Sequence, residues 1–209
     1  MATLVNYVDY NNLSSLEEAN ISRQISSVDE IINGPIRDVF LKHAANLTLC
    51  LYLQHRHHTI NANEAVIKVK GTAHLMDSED VRSIVSFGNH IVPTTWMTSN
   101  GRVLPMEFGV IPSGVDVPMQ TPAFIEEFLS VLASNGCDGL FGIDTIAKDA
   151  WSEMKIGDAN VVVPSNSGND YDDEKFIPVA FTFEKEKPRF TVHGRCGSNH
   201  KHSSKPPKK

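Results

Sequence analysis

Leu49-Cys50-Leu51-Tyr52-Leu53-Gln54-His55-Arg56-His57-His58 carries an apolar strand pattern directly into three histidines. In an extended chain alternate residues share a face, which puts Leu49, Leu51, Leu53, His55 and His57 together and sends Arg56 and His58 to the other side. The leucine face reads as the core face, so the spacing predicts a strand that carries two imidazoles out from the core. Imidazole is the commonest neutral metal ligand and titrates near physiological pH. The pair therefore points to chemistry, with His55 and His57 as metal ligands. Without a metal, His57 would be a general base, with Arg56 or Arg102 holding a substrate carboxylate.

Working outward, Ser14 to Glu18 reads as a capped helix start, and Ser27 with Glu30 has the spacing of a capping box. Gly34-Pro35 interrupts that second helix, and Pro35 suits the first turn of another running through Phe40 and His43. Downstream, Asn61-Ala62-Asn63 supplies a turn and Ala65 to Val69 a strand closed by Gly71. His90 to Thr98 and Arg102 to Val110 flank Asn100-Gly101, the strongest two-residue hairpin signal. Thr121 to Ser134 is the clearest helix, with a capping threonine, proline at its first position and Gly136 to end it. Leu140 to Ile143 reads as a strand, Thr145 to Met154 as a helix, and Val161 to Val163, Phe176 to Glu184 and Arg189 to His193 as strands. These elements predict one α+β domain over residues 1–202, a mostly antiparallel sheet with a few flanking helices. Residues 203–209, only Ser, Pro and Lys, are expected to be a disordered basic tail.

A chain of 209 residues is long enough to bury a substantial core. No run approaches the roughly 18 apolar residues of a membrane helix, and Met1 to Asn12 lacks the pattern of a secretory signal. Three widely spaced cysteines argue against a disulfide framework and for a reducing, cytoplasmic setting. The net charge of −6 is unevenly spread. Lys187 to Lys209 holds seven of the 19 basic residues and none of the 25 acidic ones, leaving 12 basic against 25 acidic residues elsewhere. So acidic a body is a poor nucleic-acid surface, and the expected partner is a small-molecule substrate.

A second cluster, His193-Gly194-Arg195-Cys196-Gly197-Ser198-Asn199-His200-Lys201-His202, sets a cysteine four residues before one histidine and six before another. Cys196, His200 and His202 have the ligand chemistry of zinc, and glycines on both sides of the cysteine let a loop fold around an ion. They could complete a site begun by His55 and His57, or anchor the tail through a structural zinc in a non-enzymatic domain. The alternative third ligand is Glu64. His55-Arg56-His57, then Glu64, then Gly71 resembles the first metal motif of the cupin superfamily, His-x-His followed by Glu and Gly on successive strands. The gap to Glu64 is longer than in that motif, and the second motif is represented only by Pro112-Ser113-Gly114 with no histidine after it. Zinc is the expected ion if Cys196 binds, and iron or manganese if Glu64 completes a two-His-one-carboxylate face.

Weaker candidates are Glu107, a charge within an otherwise apolar strand that is either a buried acid, base or ligand or simply faces solvent, and Cys137, expected to be a buried structural thiol. The acidic run Asp170 to Glu174 lacks calcium-loop spacing and reads as a solvated loop. The Leu-rich strand ending in His-Arg-His, the Pro93-Thr94-Thr95-Trp96 strand, the Pro122-to-Gly136 helix and Ser198 to His202 together look like a set of fungal proteins with no settled activity. That resemblance spans roughly Val28 to His202. The expectation is a small cytoplasmic metal-dependent enzyme, a hydrolase, lyase or oxygenase, acting on a small organic molecule.

Overall fold

In a computed structural model, which describes residues 5–25, 28–69, 72–112, 120–156, 159–164 and 176–197, the histidine-bearing stretch is a strand only as far as Leu53. The described strands are β1 (Leu49–Leu53), β2 (Glu64–Val69), β3 (Thr72–Asp77), β4 (Asn89–Ser99), β5 (Arg102–Pro112), β6 (Phe141–Thr145), β7 (Trp151–Ile156), β8 (Ala159–Pro164), β9 (Phe176–Thr182) and β10 (Thr191–Gly197). They close into a barrel in the order β1-β6-β4-β5-β2-β3-β8-β7-β10-β9, with β9 returning to β1. This corrects the expected α+β arrangement of a sheet with flanking helices. Closure rests on β1, which pairs antiparallel with β6 through Leu51 and Ile143 and with β9 through Leu51 and Phe181. No edge is left on that strand. Two neighbouring pairs, β2 with β5 and β7 with β10, are parallel and the rest antiparallel.

The hairpin joining β4 to β5 forms as its sequence predicts, with Asn100 and Gly101 at φ 52° and 67°. The helix expected over Thr145 to Met154 is replaced by the end of β6 and most of β7. Strand β7 has β8 on one side and β10 on the other, and two ladders override a local helical pattern.

The N-terminal helices are α1 (Tyr7–Asn11), α2 (Leu16–Ile25), α3 (Val28–Ile31) and α4 (Arg37–Lys42). Between α3 and α4 lies a π-helical turn, Ile32–Ile36, in which Gly34 leaves helical geometry ahead of Pro35. Helix α5 (Ser78–Ser86) is held by a capping box between Asp77 and Asp80 and buries none of its residues. Helix α6 (Pro122–Ser134) starts where Thr121 Oγ1 accepts from Phe124 N at 3.2 Å. Phe40 of α4 packs at ring distances of 5.1 Å on Phe124 and 5.9 Å on Phe128 of α6, and 5.0 Å on Phe183 just beyond β9. Arg37 ties the same layer down by donating to the carbonyls of Glu184, Lys185 and Lys187. No helix among the described residues is long and apolar enough to cross a membrane.

Candidate metal centre inside the barrel

The strand ends after Leu53, where Gln54 N still donates to Leu140 O at 3.1 Å while the Gln54 side chain turns to β4. Its Nε2 donates to Thr98 O at 3.0 Å and its Oε1 accepts from Thr98 N at 2.8 Å, so the amide acts as an extra peptide group against β4. Gly142 is required beside it, since a Cβ there would meet Trp96 O at 2.2 Å. Residues 54–60 are then held by the N-terminal segment. Arg56 N donates to Ser14 O at 3.0 Å, Arg56 Nη1 to Asn11 O at 2.7 Å, and the side chain of Asn11 bonds both backbone groups of Ile60. The hydroxyl of Tyr10, on α1, accepts from His57 N at 3.3 Å.

This turn cancels the alternation that placed both histidines on the leucine face. His57 Nε2 lies 3.2 Å from the hydroxyl of Tyr52, and His55 stacks on the Tyr52 ring at 5.5 Å. Both imidazoles thus join the Tyr52 side of β1. Their rings are 4.5 Å apart and both residues are buried. His55 Nδ1 stands 2.8 Å from Leu53 O, so Nδ1 carries the proton and Nε2 the lone pair. That is the tautomer a backbone carbonyl imposes on ligating histidines.

Cys196, on β10, completes the cluster. One ligand atom each from His55, His57 and Cys196 lies within 4.8 Å of the others. Nitrogen and sulfur ligands of a tetrahedral zinc stand about 3.3–3.7 Å apart, so roughly an ångström of side-chain closure would bring these donors onto one ion. Burial pushes the Cys196 thiol well up, and Glu153 and Glu107 push it further. A metal would deprotonate such a thiol outright.

Carboxylates surround the cluster. Glu153 Oε1 is 3.0 Å from His57 Nδ1, Glu107 Oε1 is 3.8 Å from His57 Nε2, and both acids are buried. Asn160 Nδ2 is a further 3.0 Å neighbour of His57 Nδ1. Burial disfavours a charged His57, but the charge and hydrogen bond of Glu153, with Glu107 behind it, outweigh that and raise its pKa. Burial likewise pushes Glu153 up, and the imidazolium of His57 overcomes it to hold the acid low.

The network continues along the barrel wall. Lys68 Nζ meets Glu107 Oε2 at 2.7 Å and Thr95 Oγ1 at 3.3 Å, and Thr95 Oγ1 donates to Asp144 Oδ1 at 2.9 Å. Burial works against the charge on Lys68, yet Glu107 and Asp144 keep it firmly protonated. Burial raises the Asp144 carboxyl against the pull of Lys68, with Glu107 adding to the rise.

Of the other sequence candidates only Glu107 lies at the cluster among the described residues. Glu64 accepts from Asn61 N at 2.7 Å and Asn61 Nδ2 at 2.9 Å, tying the turn before β2, and is not in the cluster. Arg56 is a tie to the N-terminal segment, and Arg102 is an exposed residue 3.9 Å from Asp9. Glu107 is buried beside His57 and does not face solvent. Cys137 is buried and its thiol raised by that burial. His200, His202, Gly71, Ser113, Gly114, the acidic run and the 203–209 tail lie outside the described residues. Sequence reading missed Lys68, Asp144 and Glu153 as site residues. Lys68 and Asp144 carried the same signal as Glu107, a lone charge in an apolar strand run, whereas Glu153 was hidden in a segment read as helix.

Comparison of the chain with family models, with curated proteins and with solved structures finds no match. The chemistry of the centre is therefore argued from its own donors and distances.

Proposed function

We propose that this barrel is a metal-dependent enzyme acting on a small organic molecule, with His55, His57 and Cys196 as ligands of a divalent cation. The observation that carries the reading is the convergence of three buried donors, two from the chain after β1 and one from β10. Two imidazoles and a thiolate favour zinc, whereas iron or manganese would draw more on the carboxylates. Three protein ligands among the described residues would leave a fourth position for water or substrate, the arrangement of catalytic zinc. A metal held there supplies Lewis-acid chemistry, suited to hydrolysis or a lyase reaction. Glu153 orients His57 from its second nitrogen and is placed to accept a proton. The free, buried cysteines favour a reducing compartment such as the cytoplasm.

Metal analysis of protein made without a histidine tag, from zinc-supplemented medium, tests the reading. About one equivalent of metal is expected in the parent and in His58→Ala, with loss in both His57→Ala and Cys196→Ala. Absence of stoichiometric metal from the parent overturns it. A metal-free acid–base reading is favoured by the contact of His57 with Glu153 on one nitrogen and Tyr52 on the other. The same measurement separates the two.

A further inference from the structure

His55, His57 and Cys196 keep 0%, 5% and 0% of their surface exposed, and the cavity lined by Lys68, Asp144 and Trp151 has none of them among its lining residues. An ion seated about 2 Å from such donors can enter or leave only if part of the wall moves. We propose that this part is the N-terminal segment, residues 5–14, which opens as a gate together with the histidine turn while the barrel strands stay paired. The inference deepens the metal reading above, as the route by which the ion is exchanged, and rests on it.

The donors differ in what holds them. Cys196 lies within β10, in register with Ile177 of β9 and with Glu153 of β7. Moving it means opening two ladders of a closed barrel. His55 and His57 lie beyond the end of β1, outside any strand or helix. The backbone there is bonded to the N-terminal segment instead. Arg56 N donates to Ser14 O, His57 N to the Tyr10 hydroxyl, and Ile60 uses both its N–H and its carbonyl on the Asn11 side chain. Arg56 Nη1 in turn donates to Asn11 O. Releasing residues 10–14 thus removes the partners of the turn, and a released turn carries both imidazoles away from Cys196.

The segment is held by few contacts. Helix α1 has five residues, far short of the roughly 12–15 at which a helix becomes marginally stable alone, and its Tyr7 and Val8 are exposed. Val5, Tyr10 and Leu13 are its buried anchors. A further tie, Ser99 Oγ donating to Asp9 Oδ1 at 2.8 Å, fixes it to the tip of the β4–β5 hairpin. Segments with so little buried apolar surface open at a fraction of the free energy of global unfolding. A bound ion would fix the turn and so hold the gate shut, and by linkage a shut gate favours the ion.

N-ethylmaleimide labelling of the native protein, resolved by peptide mass spectrometry, reads the gate. Cys196 is reached when the gate opens, whereas Cys50, on β1 between β6 and β9, is reached only when the barrel does. In the parent freed of metal by a chelator, Cys196 should label at least tenfold faster than Cys50 and with a weaker dependence on urea. Asn11→Ala removes two hydrogen bonds that neither the open gate nor the unfolded chain retains, so Cys196 should label about tenfold faster. Thr121→Ala removes the cap of α6, which the open gate keeps. It should speed Cys50 about fivefold and leave Cys196 at the parent rate. Equal rates and urea slopes at the two cysteines of the parent overturn the gate, as does an unchanged Cys196 rate in Asn11→Ala or a Cys196 rate raised by Thr121→Ala. The parent comparison stands even where a variant fails to fold. Zinc content after reloading is measured on the same samples. A protein without zinc whose cysteines follow this pattern sinks the metal centre and not the opening, and a zinc-loaded protein that breaks the pattern does the reverse.

Discussion

Two buried regions of this molecule obey opposite rules. In the helical layer Phe40, Phe124, Phe128 and Phe183 pack ring against ring. Inside the barrel, Glu153, His57, Glu107 and Lys68 meet in succession, and Thr95 joins Lys68 to Asp144. The first region gains free energy from every apolar atom it removes from water. The second loses hydration on each charge and recovers it only through its partners. Apolar residues of similar volume would serve folding as well or better, so the charges of the barrel interior are not accounted for by stability.

The sharpest way to break this contrast is to cut into each region and compare singles with doubles. Phe40→Ala should cost about 3–5 kcal/mol in denaturant unfolding, from lost burial and the cavity left behind. Lys68→Met should cost about 3 kcal/mol by stranding Glu107, somewhat less than a fully enclosed pair because Lys68 keeps 23% of its side-chain surface. Adding Glu107→Leu should restore most of that loss, whereas no second substitution among the phenylalanines should rescue Phe40→Ala. If the barrel double mutant is as unstable as the two losses added, the interior is not held by pairing. Thr121→Ala, which removes only the cap of α6 beneath the aromatic layer, should cost about 1 kcal/mol in the same measurement.

The smallest effect belongs to α5, none of whose residues is fully buried and which meets the core only through the partly buried Val81 among its described contacts, so local capping weighs most there. Hydrogen bonds from the backbone N–H groups of Asp80 and Glu79 hold the Asp77 carboxyl below its ordinary range. Its stabilising contribution is present above the unfolded-state value near pH 4 and is lost as pH falls through the lowered folded value. Amide exchange in α5 should therefore differ between parent and Asp77→Ala at pH 6 and converge once the pH has fallen through the lowered folded value. A difference that persists at low pH would assign the protection to packing.

Local signals were legible where local physics decides. Asn100-Gly101 can hardly avoid a hairpin, and Thr121-Pro122 with Gly136 brackets a helix without help from the rest of the chain. Closure into a barrel depends on β1 meeting β6 and β9, and alternation within β1 carries no record of which strands lie beside it. The centre was legible to the same extent. His55, His57 and Cys196 stood out as ligand types, and they do come together. Their face did not follow from spacing, because the strand ends at Leu53 and the turn after it swings both imidazoles over to Tyr52. Glu153 was unreadable for a plainer reason, since β7 owes its extended form to neighbours at residues 159–164 and 191–197.

The return of β9 to β1 also sets a clock. Leu51 and its partner Phe181 lie 130 positions apart. At about 5–20 residues per second, a ribosome needs on the order of ten seconds to deliver β9 after β1 has emerged. Throughout that interval β1, buried at all five of its positions in the finished fold, has an open edge, which makes it a natural target for a nascent-chain chaperone.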